Sequence, residues 1–204
     1  GDGGLTLHIF TEFMPGGSIL TLIKKFGALS EPVVRNYTRQ MLDGLVYLHS
    51  KGIVHRDIKP ANMLLDASDP PVTKLSDFGT GLEKAEAAGG PEDDSISSRG
   101  LIGTKVYMAP ELLACGSAES SVHSDLWALG CLLHEMAAGK TPFASRVLNK
   151  LIPSIMTAQV HPVKGFSSEF NDLLLGLLHK NPEKRLGWAQ IVAHPWLVGK
   201  DGEF

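Results

Sequence analysis

Cysteine is scarce: the 204 residues include only Cys115 and Cys131. Two are too few for a disulfide framework and read as reduced thiols of a cytoplasmic protein. Long hydrophobic runs are missing as well. Nothing approaches the roughly 18 consecutive apolar residues of a membrane span, and the opening Gly1 to Gly4 is no signal peptide. Charge of one sign is also absent, since a net charge of -3 offers no basic field to nucleic acid or an anionic membrane. There are no repeats or low-complexity arrays. What remains, 43% hydrophobic and 20% charged, is the make-up of a soluble globular protein. The length suits one well-buried core rather than two ordinary domains.

Hydrophobic periodicity divides the chain into three stretches. Leu5, Leu7, Ile9, Thr11 and Phe13 alternate with Thr6, His8, Phe10 and Glu12, which predicts a strand ending at the turn-rich Met14-Pro15-Gly16-Gly17. Ser18 is placed to cap a short helix through Lys25 that closes at Gly27, and Ser30 to cap a longer one. In the longer helix Val33, Val34, Tyr37, Met41, Leu45 and Leu48 form a core-facing stripe that stops at Gly52. The helical period then disappears between Ile53 and Leu82, where short strand-like pieces, Met63 to Leu65 and Thr73 to Leu75, lie between polar turns. An irregular middle of this kind inside a compact domain usually carries function. Glu83 to Arg99 reads as a loop. Helices return at Ser124 to Gly139, Val147 to Thr157, Ser167 to His179 and Ala189 to Ala193, which makes the fold class α+β and mainly helical.

The strongest chemical signal is His55-Arg56-Asp57-Ile58-Lys59-Pro60-Ala61-Asn62, then Asp77-Phe78-Gly79, then Ala109-Pro110-Glu111. Each tripeptide alone is a weak motif, but together, in this order and at these separations, they are highly specific. With them the chain resembles the eukaryotic serine/threonine protein kinases from Leu5 to Trp196. The resemblance implies a partial kinase domain over residues 1–204: the last small-lobe strand and hinge in 1–14, the helical large lobe in 15–204.

Phosphoryl transfer from ATP asks for positioning and charge neutralisation more than covalent work. Asp57 can accept the proton of a substrate hydroxyl and orient it for in-line attack. Asn62 and Asp77 offer hard oxygen ligands suited to Mg2+. By resemblance Lys59 contacts the transferred phosphate, which points to serine or threonine in a protein substrate, and His55 is a structural member of the loop. Gly103 and Thr104 resemble the substrate shelf, with Lys105 where many relatives have proline. Thr11 matches the gatekeeper, Glu12, Phe13 and Met14 the adenine-binding hinge, Ser18 the ribose contact and Leu64 the floor of the adenine pocket. Asp125 matches the residue that bonds catalytic-loop amides, and Arg185 the partner of Glu111. Arg56 matches the arginine that gathers a phosphorylated activation segment, for which Ser95, Ser97 and Ser98, beside Arg99, are candidates.

The sequence holds no Gly-x-Gly-x-x-Gly loop ahead of the hinge, no strand lysine and no helix glutamate to pair with it. Two readings fit: a piece of an active kinase, a monomeric large lobe needing its own small lobe, or a product that serves as a pseudokinase-like binding or regulatory module. The first is preferred. Small-molecule kinases lack the shelf and the Asp125 helix. A zinc hydrolase is unsupported, because Ala138 stands where a second ligand to pair with His134 would be needed. Glu12 to Ile19 and Leu29 to Arg35 look like MAP kinase kinase kinases, whereas Phe166 to Trp188 is closer to Fused and unc-51-like kinases; the first likeness is favoured.

Overall fold

The computed structural model describes residues 8, 10–77, 105–114, 120–145 and 147–198. Helix α1 (Ile19–Phe26) begins as the sequence predicts: the Thr21 amide donates to Ser18 Oγ at 3.4 Å and the Ser18 amide to Thr21 Oγ1 at 3.4 Å. This reciprocal cap satisfies amides that the first helical turn leaves unpaired. Its inner face buries Ile19 and Ile23.

Helix α2 (Glu31–Ser50) follows Ser30, with Pro32 in its first turn. Val34, Tyr37, Met41, Leu45 and Leu48 are buried as expected, joined by Thr38 and Leu42. Thr38 is tolerated there because its hydroxyl donates to Val34 O at 2.7 Å. Val33 departs from the expectation. It is 39% exposed, since one residue of helix turns it about 100° away from Val34 and off the stripe.

A small antiparallel sheet runs in the order β1 (Gly17–Ser18), β2 (Met63–Leu65), β3 (Thr73–Leu75). Its register sets Ser18 opposite Leu64, and Leu64 in turn opposite Lys74. Strand β3 lies so close to α2 that a Cβ on Gly44 would come 2.8 Å from Leu75 Cδ1. At the same junction Gln40 Oε1 accepts the Thr73 amide at 2.7 Å. Of the strand expected from Leu5 to Phe13, Leu5 to Leu7 and Ile9 lie outside the described residues. His8 and residues 10–14 have no sheet pairing, and Phe10 and Phe13 are 94% and 84% exposed. Alternation alone does not hold a strand; it needs backbone partners, and among the described residues none lies beside it.

The second half is helical: α3 (Pro110–Ala114), α4 (Val122–Ala138), α5 (Leu148–Thr157), α6 (Ser168–Leu177) and α7 (Trp188–Val192). Helix α4 starts at Val122 rather than Ser124 because Ser121 is its cap, exchanging hydrogen bonds with Ser124. Buried residues lie all round it, including Leu126, Trp127, Leu129, Leu132, Leu133 and Met136, as suits the central helix of a core. Helix α6 packs against it at Gly130, where a Cβ would meet Leu178 Cδ2 at 2.9 Å. Glu31 ties the C-terminal end to α2, accepting Ser167 N at 2.8 Å, Ser167 Oγ at 2.5 Å and Trp196 Nε1 at 2.7 Å. Among the described residues, no helix is long and apolar enough to cross a membrane.

Candidate active site

The loop from His55 to Asn62 joins α2 to β2, and α4 holds it in place. Asp125, in the first turn of α4, accepts the His55 amide at 2.7 Å on Oδ2 and the Arg56 amide at 2.9 Å on Oδ1, as expected from the resemblance. Arg56 has φ 71° with an exposed side chain. A non-glycine residue in that region costs of order 1–3 kcal/mol and persists only where its surroundings impose it. The Asp125 hydrogen bond supplies that constraint. His55 is fully buried, and burial pushes its imidazole below the ordinary 6.5 against the pull of Asp125. Its Nδ1 accepts the Asp57 amide at 3.4 Å, a supporting role rather than that of a base.

The loop brings Asp57, Lys59 and Asn62 together. Lys59 Nζ lies 2.9 and 2.7 Å from the two carboxylate oxygens of Asp57. A single 3-10 turn, Pro60–Asn62, swings Asn62 back so that its Nδ2 donates to Asp57 O at 2.8 Å and to Asp57 Oδ2 at 2.9 Å. Both partners of Nδ2 are acceptors, which assigns the orientation of the Asn62 amide and leaves Oδ1 free of that pairing. Asn62 O in turn accepts Ser76 N at 2.9 Å and Ser76 Oγ at 3.1 Å. That pair of bonds seats Asp77, exposed and at φ 57°, next along the chain.

One amide oxygen and one exposed carboxylate make a donor set suited to a hard divalent ion that takes its remaining ligands from phosphate and water. Among the described residues, no three His, Cys, Asp or Glu side chains cluster to hold a metal by themselves. The residues present therefore fit Mg2+ bound together with nucleotide.

In the segment expected to form the hinge, Met14 O accepts the Gly17 amide at 3.3 Å, and the Gly16 amide that follows donates to Leu65 O at 3.0 Å. Ser18 and Leu64 face each other in the ladder, so the two residues expected at ribose and adenine are direct neighbours across β1 and the central strand β2. The Glu12 side chain pairs with Lys74 Nζ at 2.8 Å, a contact absent from the sequence reading. Gly103, Thr104, Ser95, Ser97 and Ser98 lie outside the described residues.

Behind the site Arg185 forks onto Glu111 at 2.7 and 2.9 Å and also donates to His123 O and His179 O. The Arg185 side chain is wholly buried and lies over the Trp127 ring. Nearby, Tyr107 Oη donates to Glu135 at 2.5 Å. Burial, then Glu135, hold that phenol well above its usual range, and burial raises the Glu135 carboxyl. Sequence reasoning missed the Tyr107–Glu135 pair and the contacts of His49 and Trp188 described below. Tyr107 lies two residues before Ala109-Pro110-Glu111, yet neither that run nor the local sequence of His49 and Trp188 indicates the distant partner.

Comparison with known proteins agrees with this geometry. The family model for the protein kinase domain matches residues 4–197. Mitogen-activated protein kinase kinase kinase 2 of Arabidopsis thaliana is 41% identical over 202 residues, covering 97% of this chain and 30% of that protein. Serine/threonine-protein kinase PKH2 of Saccharomyces cerevisiae is 39% identical over 204 residues, covering 97% and 18% respectively. The chain thus spans under a third of the length of these relatives. Among solved structures, the Rad53 kinase domain in complex with AMPPNP superposes with a TM-score of 0.72 at 30% identity, covering 91% of this chain and 67% of that one. A core-seated loop bearing Asp57, Lys59 and Asn62, the Glu111–Arg185 pair behind it and a family match across nearly the whole length place this chain in the protein kinase domain family.

Proposed function

We propose that the chain carries the catalytic half of a protein serine/threonine kinase, with residues 1–14 on the hinge side and 15–204 forming the large lobe. The observation that carries the reading is the Asp57 carboxylate held between Lys59 Nζ and Asn62 Nδ2. In this reading Asp57 takes the proton of a serine or threonine hydroxyl as its oxygen bonds the γ-phosphorus and the bond to the leaving ADP oxygen breaks. Lys59, within reach of Asp57, places a positive charge on the phosphoryl oxygens. Glu12, Met14, Ser18 and Leu64 take the adenosine. Asn62 and Asp77 would hold Mg2+, which when bound supplies charge neutralisation on the phosphates. Arg56, with its side chain in solvent, receives a phosphate from the segment containing Ser95, Ser97 and Ser98, while Gly103 and Thr104 seat the substrate. The kinase names of the relatives support this reading, and a free, buried Cys131 suits a reducing cytoplasm.

The test joins the 204 residues to a kinase small lobe bearing the Gly-rich loop and lysine, supplies labelled ATP with magnesium, and identifies the phosphorylated amino acid. Phosphoserine or phosphothreonine is expected. Phosphotyrosine as the sole product contradicts the assignment of substrate class.

A further inference from the structure

Asp125 is only 1% exposed, and a carboxylate so buried is stable only with donors on both oxygens. Oδ1 takes the Arg56 amide; Oδ2 takes the His55 amide at 2.7 Å and His49 Nε2 at 2.8 Å. His49 lies near the end of α2 with its side chain 4% exposed. Its other ring nitrogen, Nδ1, is 3.0 Å from Nε1 of Trp188, the first residue of α7 and 139 positions away in sequence. The two rings meet edge to face, with centroids 5.3 Å apart.

These contacts determine where the imidazole proton sits. An indole N–H can only donate. Nδ1 must therefore present a lone pair, and the proton of the neutral ring sits on Nε2, directed at Asp125. The carboxylate of Asp125, 2.8 Å from Nε2, asks for the same tautomer, so the two neighbours agree on the proton and hold the ring from both sides. Without the indole N–H nothing fixes Nδ1, and the ring can turn so that Nε2–H no longer points along the line to Asp125.

We propose that Trp188 is a positioning residue for the catalytic loop. By donating to His49 Nδ1 it holds the ring in the orientation in which Nε2–H meets Asp125, and that contact supplies the third hydrogen bond that keeps Asp125 aimed at the His55 and Arg56 amides. Four elements are thereby linked in one chain of hydrogen bonds: α7, α2, α4 and the loop. Trp188 does not touch Asp57. It acts through two buried side chains, and its effect reaches Asp57 because the strained backbone at Arg56 relaxes when the Asp125 bond weakens. The proposal deepens the kinase reading, since the loop held in this way is the one that bears Asp57.

The test needs no activity. In the 204-residue chain labelled with 15N-histidine, the nitrogen shifts report the His49 tautomer, and amide hydrogen exchange reports the loop and α4 separately. The parent is expected to show His49 as Nε2–H. Trp188→Phe keeps an aromatic edge and deletes the N–H; benzothienylalanine at position 188 replaces that N–H with sulfur in the same bicyclic shape and covers the case in which Trp188→Phe fails to fold. Either variant is expected to keep the Nε2–H tautomer, to exchange that ring proton faster because the ring is less firmly held, and to speed exchange of the His55 and Arg56 amides about tenfold, with the Leu129 and Leu132 amides of α4 unchanged. Joined to a small lobe, the same variants are expected to lose about tenfold in kcat with KM for ATP unchanged. An Nδ1–H tautomer in the parent, unchanged loop exchange, or equal acceleration in loop and α4 overturns the proposal. Should the parent transfer no phosphate while the tautomer and exchange results hold, the kinase reading fails and the positioning of the loop by Trp188 stands.

Discussion

The side-chain amide of Asn62 donates twice to Asp57, at 2.8 Å to its main-chain oxygen and at 2.9 Å to its carboxylate. One residue thus holds the carboxylate proposed as the base, and the opposite end of its amide carries the oxygen proposed to meet the metal. Asn62→Asp preserves the shape but places a carboxylate against the Asp57 carboxylate. We expect this variant to lose about 1–3 kcal/mol in urea unfolding at neutral pH and to bind Mg-ATP more weakly. Unchanged stability would mean that the double hydrogen bond is incidental.

Arg185 concentrates charge and hydrogen bonding behind the loop. Its side chain is wholly buried, and it satisfies both oxygens of Glu111 and two backbone carbonyls. Arg185→Met strands those four acceptors, and breaking a buried pair from one side costs roughly 3–5 kcal/mol. Denaturant titration of parent and variant measures it. A loss below about 1 kcal/mol would place the pair with ordinary surface bridges.

Burial lowers the proton affinity of His55 in the folded chain below its ordinary 6.5, so as pH falls the unfolded chain takes up this proton first. The stability that depends on a neutral His55 is therefore present above pH 6.5 and lost as pH falls below it. His134 is shifted the same way by burial, so the His55 share is read by difference. The stability gap between parent and His55→Asn should narrow as pH drops through that window. A gap independent of pH would show that His55 is not held neutral by its surroundings.

Much of the fold is legible in the sequence because local signals and tertiary packing agree. Ser18 caps its helix where the spacing places it, whereas Ser30 precedes α2 without a side-chain cap bond, and Met63 to Leu65 and Thr73 to Leu75 form strands with the expected bounds. Disagreement arises where a pattern needs a partner. The alternation ending at Phe13 has no strand beside it among the described residues, and Val33 shares the apolar character of the α2 stripe without lying on its face. The site divides along the same line. Asp57, Lys59, Asn62 and Asp77 sit in contiguous motifs and are readable as such, whereas His49 looks like the polar neighbour of Leu48 and Trp188 like one more helix aromatic. Their meeting with Asp125 joins three distant segments, and no spacing in one sequence encodes it.

The central claim is that Asp57 activates the hydroxyl while Asp77 serves the nucleotide-bound metal. It is tested most directly by measuring Mg-ATP affinity and turnover together for Asp57→Ala and Asp77→Asn, each joined to a small lobe. Asp57→Ala should lower turnover by about 10² to 10⁴ with affinity nearly intact. Asp77→Asn should lower turnover and weaken Mg-ATP binding as well, because it removes a carboxylate from the metal. Equal loss of binding in the two variants, or turnover that survives Asp57→Ala, would contradict the account.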